Sequence, residues 1–297
     1  MSAMPFEVTL REVGPRDGLQ AEDPVSVAAR VALIDALSYT GVPTIEAVSF
    51  VSEKAVPSMA GAAAVMAGIT RAPTVKYVAL VPNLRGAHAA LEANVDGLTV
   101  TMSASETYSQ KNTKRSIAES LVAVEEIVGF VDDRVPVDVV ISCCFRSPYE
   151  GDIAPEAIGA LVRDAWDTGA TAVTLADTTG MATPRRIDDV LDETGHDVGL
   201  HLHETRGTAL VNAYAALQRG VKRFDTSIGG LGGSPFADGA SGNLATEDFV
   251  HVLDDMGVRT GVSLDALLAV TGLLVATIGH PVASNVGRAG PRSRLAG

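Results

Sequence analysis

The sequence predicts an α/β protein built as a (β/α)8 barrel with a C-terminal helical extension. Three observations lead there. Eight short β-rich runs alternate with amphipathic stretches almost to the end of the 297 residues. No long Pro/Ser linker or low-complexity tract divides the chain. The length suits one barrel unit of ~250 residues plus an addition. A doubly wound open sheet is the alternative, because periodicity does not reveal closure. "GPRDG" after the first run does not help that rival, since it lacks a G-x-G-x-x-G phosphate loop. Residues 1–297 then form one domain, with the barrel over about 6–230, a loop and helices over about 229–280, and a basic tail over 281–297.

In chain order, strands are expected at 6–12, 44–50, 75–81, 97–102, 137–143, 171–176, 198–203 and 223–228, runs such as "VKYVALV" and "VDVVISC". Between them, "SVAARVALIDALSYTG", "SIAESLVAVEEIVGFV" and "APEAIGALVRDAWDTG" carry helical spacing. Several such stretches end in Gly just past the last apolar position, as a helix C-terminus prefers. Two further helices, "NLATEDFVHVLDDMG" and "SLDALLAVTGLLVATIG", follow the eighth strand. The tail "ASNVGRAGPRSRLAG" is basic and Gly-rich, and is expected to be mobile at its end.

Composition narrows the function classes. With 46% hydrophobic residues and a mean hydropathy of +0.22, the chain can bury a large core. A net charge of −13 and a pI near 4.8 repel nucleic acid. An anionic substrate therefore needs a locally positive site, for which Arg16, Lys111, Lys114, Arg115, Arg206, Arg288, Arg292 and Arg294 are available. Cys143 and Cys144 are adjacent, and neighbours on a strand point to opposite faces. They read as buried small hydrophobes rather than a disulfide, which fits a reducing cytoplasm. No window reads as a signal peptide or a membrane span.

In a barrel the chemistry sits where strands end and βα loops begin. Those positions hold Glu12, Arg16 and Asp17; Glu46 and Ser49; Asn83; Ser103; Asp177; His201 and His203; and Ser227. His201 and His203 stand at i and i+2, so both project toward the lumen or its mouth. Two buried imidazoles with carboxylates on neighbouring strands point to a metal, and Asp17 is the best third ligand because closure brings strand one beside strand eight. The donor set suits a divalent ion such as Mg²⁺, Mn²⁺ or Zn²⁺. The absence of a cysteine ligand argues against a closed structural zinc site. Arg16, held in "GPRDG", can donate several hydrogen bonds to an oxyanion. Glu12 and Glu46 share the parity of a lumen-facing set, and each reads as a ligand-orienting group, a proton acceptor or a partner of Arg16. Asp177 in "LADTTG" reads as a supporting acid or proton carrier. "GGLGGSPFADGASGN", 229–243, carries Ser234 and Asn243 at the active rim and reads as a lid.

Together "EVGPRDGLQ", "IEAVSFVSEKAVPSM", "PYEG", "HLHETRGTALVNAYAALQRGV" and "GLGGSPFADGASGNLATEDFVHVLDDMGVRTGV" resemble the 3-hydroxy-3-methylglutaryl-CoA lyases, members of the DRE-TIM metallolyases. The resemblance covers nearly the whole chain. "RDGLQ" separates it from the related homocitrate and isopropylmalate synthases, which usually read R-D-G-E-Q. It implies a divalent metal, Mg²⁺ or Mn²⁺ foremost, on Asp17, His201, His203 and Asn243, with Arg16 stabilising an enolate and Glu12, Glu46 and Asp177 nearby. Gln20, Ser49 and Arg206 join Arg16 as candidate substrate contacts. It further implies an acyl-CoA substrate, a homodimer, and retro-Claisen cleavage to acetyl-CoA and a keto acid.

Three departures stand out. The family's loop G-L-G-G-C-P carries a catalytic cysteine where this chain has Ser234. H-C-H-D-T-Y-G becomes "HLHETRG", with Glu204 for Asp and Arg206 for an aromatic residue. The basic residue expected near His280 and Pro281 for CoA contact is missing. The alternatives are a Claisen-type synthase or 2-keto acid aldolase of the same superfamily, or a metal-binding homologue with little activity.

Overall fold

The computed structural model describes residues 4–233 and 242–294. Eight parallel strands close into a barrel in sequential order, with the first strand paired to the eighth. The strands are β1 (Thr9–Glu12), β2 (Thr44–Ser49), β3 (Lys76–Val81), β4 (Gly97–Ser103), β5 (Val137–Ser142), β6 (Ala172–Asp177), β7 (Gly199–Leu202) and β8 (Arg223–Thr226). Each falls within the run expected from the sequence or one residue beyond it. β1 starts later, at Thr9, because residues before it find only an isolated bridge between Glu7 and Arg259.

The outer ring comprises α1 (Val27–Leu37), α2 (Ala62–Gly68), α3 (Leu84–Glu92), α4 (Glu106–Asn112), α5 (Ile117–Val131), α6 (Pro155–Asp167), α7 (Pro184–Thr194) and α8 (Ala209–Gln218). The extension is α9 (Thr246–Asp255), α10 (Leu264–Ile278) and α11 (Asn285–Ala289). The β4–β5 connection holds two helices, not one. Ser105 caps α4, while Ser116 and Glu119 form a capping box on α5, so the short polar stretch between them separates two starts. The tail also gains an unexpected helix. Ser284 caps α11, and Asp248 on α9 accepts from the backbone N–H groups of Asn285 and Val286.

The core lies between barrel and helices, where residues such as Leu33, Ile45, Tyr77, Ile127, Ile158 and Phe249 are sealed from solvent. Cys143 and Cys144 are free and fully buried. Burial pushes the Cys143 thiol up to about 12, which suits an inert packing residue. No described helix is long and apolar enough to cross a membrane.

Candidate active site

The site grows from the break after β1. Gly14–Gly18 forms a single π-helical turn in which the N–H groups of Arg16, Asp17 and Gly18 all point at the Val13 carbonyl. Such turns widen the backbone and present consecutive side chains. Here they bring Arg16 and Asp17 over the C-terminal mouth. Arg16 is buried, donates from Nε to Glu46 Oε2 at 2.5 Å and from Nη1 to Asp17 Oδ1 at 2.7 Å. N–H bonds remain on its terminal nitrogens for a further acceptor.

His201 and His203 do share a face, as period two requires, with ring centroids 5.0 Å apart. Their inner nitrogens are occupied differently. His203 Nδ1 donates to the Asp177 carbonyl at 2.9 Å, whereas His201 Nδ1 meets Asp225 Oδ2 at 3.1 Å. A carbonyl only accepts, so His203 Nε2 carries the lone pair, and that atom is buried with no partner among the described residues. His201 Nε2 faces Asp17 Oδ2 at 3.8 Å. One donor atom each from Asp17, His201 and His203 lie within 4.8 Å of one another.

Asn243 reaches this group through Asp17. Its Nδ2 donates to Asp17 Oδ2 at 2.7 Å and to the Leu231 carbonyl at 2.8 Å, which leaves Oδ1 buried and unpartnered. Gly232, at φ +130°, passes so close that a Cβ there would lie 2.2 Å from Asn243 Nδ2. Only glycine fits this approach. Across the loop, Gly242 donates to the Gly232 carbonyl, and Glu204 donates to the Gly242 carbonyl, each at 2.8 Å. Two imidazole nitrogens and a carboxylate, with His203 Nε2 unpartnered, fit a divalent cation with positions left for further oxygens.

The electrostatics agree. Burial would raise the Asp17 carboxyl, but Arg16, His201 and His203 bring it down to about 2. Burial, with His201 alongside, pushes His203 down to about 4, so its imidazole is neutral and ready to ligate. A cavity of about 430 Å³ opens over this centre, lined by Arg11, Arg16, Asp17, Gln20, His201 and His203 among others, with Arg115 near its mouth. Of the cations named from the sequence, Arg16 and Arg115 reach it.

One expectation needs correction, and three further candidates stand apart from this cavity. Glu12 faces out of the barrel, not into it. Arg11 and Thr44 are register partners and both line the lumen, so Glu12 and Ile45 point away while Glu46 points in. Glu12 accepts from Gly14 N and Ile228 N at 2.8 Å and from Thr246 Oγ1 at 2.6 Å, a bracket beneath the loop after β8. The Asp177 carboxylate also lies off the cavity. Its Oδ1 accepts from Met181 N and Ala182 N, and burial pushes it up to about 6. Asp177 supports His203 through its backbone carbonyl instead. Arg206 donates from Nη1 to the carbonyls of Thr179 and Gly180, both at 2.9 Å, and does not line the cavity. Ser49 lines a neighbouring cavity of about 520 Å³ that shares Val51, Ser52, Pro82 and Asn83 with the mouth. Ser234, with the rest of 234–241, lies outside the described residues.

One cluster was missed. Arg11, Asp138 and Asp225 meet inside the barrel below His201. The signal is in the sequence: each is a charge within a strand of a sheet buried on both faces, where charges must pair.

Comparison with known proteins now bears on this geometry. A family profile described as HMGL-like matches residues 7–274. The chain belongs to the HMGL-like family. Among its relatives, a 3-hydroxy-3-isohexenylglutaryl-CoA/hydroxy-methylglutaryl-CoA lyase of Pseudomonas aeruginosa is 42% identical, over 96% of this chain and 98% of that protein. An (R)-citramalyl-CoA lyase of Chloroflexus aurantiacus is 41% identical, over 96% and 95%. An HMG-CoA lyase from Acinetobacter baumannii, solved with coenzyme A and 3-methylmalate, superposes with a TM-score of 0.94 at 40% identity, covering 100% of this chain and 99% of that one. This HMGL-like protein is thus a carbon–carbon lyase by family, with the barrel in place and Asp17, His201 and His203 grouped so that they could hold a metal ion.

Proposed function

We propose that this HMGL-like lyase cleaves a 3-hydroxyacyl-CoA, 3-hydroxy-3-methylglutaryl-CoA or a close relative, to acetyl-CoA and a keto acid. The observation that carries the reading is the convergence of Arg16, Asp17, His201, His203 and Asn243 at one barrel mouth, with His203 Nε2 and Asn243 Oδ1 unpartnered. In the reaction the C3 hydroxyl gives its proton to a general base of the site and the C2–C3 bond breaks. C3 becomes a carbonyl carbon, and the electron pair passes to C2 and the thioester oxygen until C2 takes up a proton.

Each residue has a part in this scheme. Arg16 donates to the thioester oxygen as negative charge gathers there. Glu46 stands behind Arg16 and fixes its plane. Asp17, His201, His203 and Asn243 would hold Mg²⁺ or Mn²⁺, with Zn²⁺ also compatible, and such an ion supplies Lewis acidity toward the substrate oxygens. Gln20 contacts substrate at the cavity wall. Ser234 is the residue for the final protonation, and its hydroxyl is a far weaker acid than a thiol, whose reference pKa is ~8.5.

The relatives named above differ in the branch on the acid and stand at near-equal identity, so the branch is a matter for assay. Chelator-stripped protein should release no acetyl-CoA from a panel of hydroxyacyl-CoAs, and Mg²⁺ or Mn²⁺ should restore release. No release from any member with any of these ions would overturn the lyase reading. Ser234→Cys should raise kcat on 3-hydroxy-3-methylglutaryl-CoA by roughly tenfold or more, within the range of a placed proton donor. If neither form cleaves that thioester, the serine serves another substrate. A cytoplasmic homodimer completes the proposal, and sedimentation at the mass of a single 30.7 kDa chain would contradict the dimer.

A further inference from the structure

Below the two histidines the lumen is crossed by a continuous chain of polar contacts. Thr174 Oγ1 donates to Asp138 Oδ2 at 2.8 Å, and Asp138 Oδ2 accepts from Arg11 Nη1 at 2.7 Å. Arg11 then takes both oxygens of Asp225, Nε to Oδ1 at 2.8 Å and Nη2 to Oδ2 at 2.7 Å. Asp225 Oδ2 in turn faces His201 Nδ1 at 3.1 Å. The chain runs from β6 and β5 through β1 and β8 to β7. Gly199 makes room for it, since a Cβ there would lie 2.7 Å from Thr174 Oγ1. Arg11 and Asp225 line both the cavity at the mouth and a second cavity of about 290 Å³ at the opposite end of the barrel. They form the partition between the two.

A buried guanidinium could instead receive a carboxylate from the substrate. The geometry argues against that use. All three nitrogens of Arg11 already meet protein oxygens, and the layer sets two carboxylates against one guanidinium, so a third anion would be repelled. The fork has a different consequence. A carboxylate bonded only to an imidazole can turn about its own χ angles. A carboxylate gripped on both oxygens by a planar guanidinium has one orientation left. The two histidines differ here: His203 leans on a backbone carbonyl that cannot rotate, whereas His201 leans on a side chain that can.

We infer that Arg11 is a positioning residue for the metal centre: by locking Asp225 it holds His201 with its proton on Nδ1 and its Nε2 lone pair toward Asp17 and His203. Asp138 and Thr174 extend the lock by fixing Arg11. The inference rests on the metal reading proposed above, and the protonation of the His201 nitrogens gives it a readout that needs no ion.

Two measurements on the full-length protein test it. Imidazole ¹⁵N resonances, recorded on metal-free protein at about pH 9, well above the reference histidine pKa of ~6.5, report the His201 tautomer. Mn²⁺ titration followed by the EPR signal of the free ion reports affinity. Arg11→Met strands two buried carboxylates and risks misfolding, so Arg11→Met/Asp138→Asn is the working variant, with Arg11→Lys keeping the charge but not the fork. In the double variant His201 should lose its fixed Nδ1–H state, and Mn²⁺ should bind about 10–100-fold more weakly, the range for partners behind a ligand. Arg11→Lys should fall between. A folded double variant with unchanged tautomer and Mn²⁺ affinity within about twofold of wild type would overturn the inference and leave Arg11 a brace of the barrel. Wild-type protein that takes up no Mn²⁺ would instead sink the metal reading, with the tautomer still deciding Arg11.

Discussion

Glu12 and Glu46 stand on two hydrogen-bonded strands, look alike in sequence, and work on opposite sides of the barrel wall. Glu46 points inward and meets a guanidinium at 2.5 Å. Glu12 points outward and meets only N–H and O–H donors, from Gly14, Ile228 and Thr246. Burial pushes Glu12 up to about 7 despite those bonds, and Glu247, which brackets Gly229 on the same outer side, is pushed likewise to about 7. The inner face therefore gathers charge for chemistry. The outer face uses acids near neutrality as brackets for the loop after β8. What separates the two is the cation, not the depth: both glutamates are fully buried.

The comparison can be broken most sharply from the inside. Arg16→Met should lower kcat by ~10²–10³, the loss for one oxyanion donor, with metal content near wild type. Normal kcat would make Arg16 a structural partner of Glu46. Next in size, His203→Ala and Asp17→Ala should each weaken Mn²⁺ binding at least ~tenfold, measured by titration of chelator-treated protein. Equal affinity in both variants would remove the inner face's claim to a metal.

On the outer face the expected effect is on stability and its pH dependence. The folded pKa of Glu12 is raised from 4.5 to about 7, so between those values the folded state keeps a proton that the unfolded chain gives up. This group's contribution is fully present below the unfolded pKa and is lost as pH rises through the window toward 7. Glu12→Gln imitates the protonated acid. Its Tm should therefore fall less than that of wild type over the same window, with turnover changed far less than in Arg16→Met. Parallel Tm curves would show that Glu12 is ionised throughout. Smallest of all, Arg206→Ala should cost about 1 kcal/mol or less, the scale of an exposed hydrogen-bonding residue, and leave the ranking of acyl-CoA substrates unchanged. A reordered ranking would return Arg206 to the substrate.

Much of this architecture was legible in the chain. H-x-H located a group that could hold a metal ion, because strand periodicity puts both imidazoles on one face whatever the exact strand ends. Glu12 was misread for a physical reason: a parallel barrel is apolar on both faces of every strand, so alternation does not say which face is inside. The charges could have said so, since Arg11 on β1 and Asp138 on β5 lie on opposite sides of the barrel and can pair only across its lumen. Arg206 and α11 depended on contacts from distant segments, the carbonyls of Thr179 and Gly180 in one case and Asp248 in the other. No local pattern carries those.

The hydrogen bond from Gly242 to the Gly232 carbonyl also bears on how such an enzyme diversifies. It ties Gly232 to Gly242 beside Asn243, two described positions on either side of Ser234. The anchoring separates what holds Asn243 from the identity of residue 234, so evolution can try a cysteine or a serine there while the Asn243 amide stays on Asp17 and Leu231.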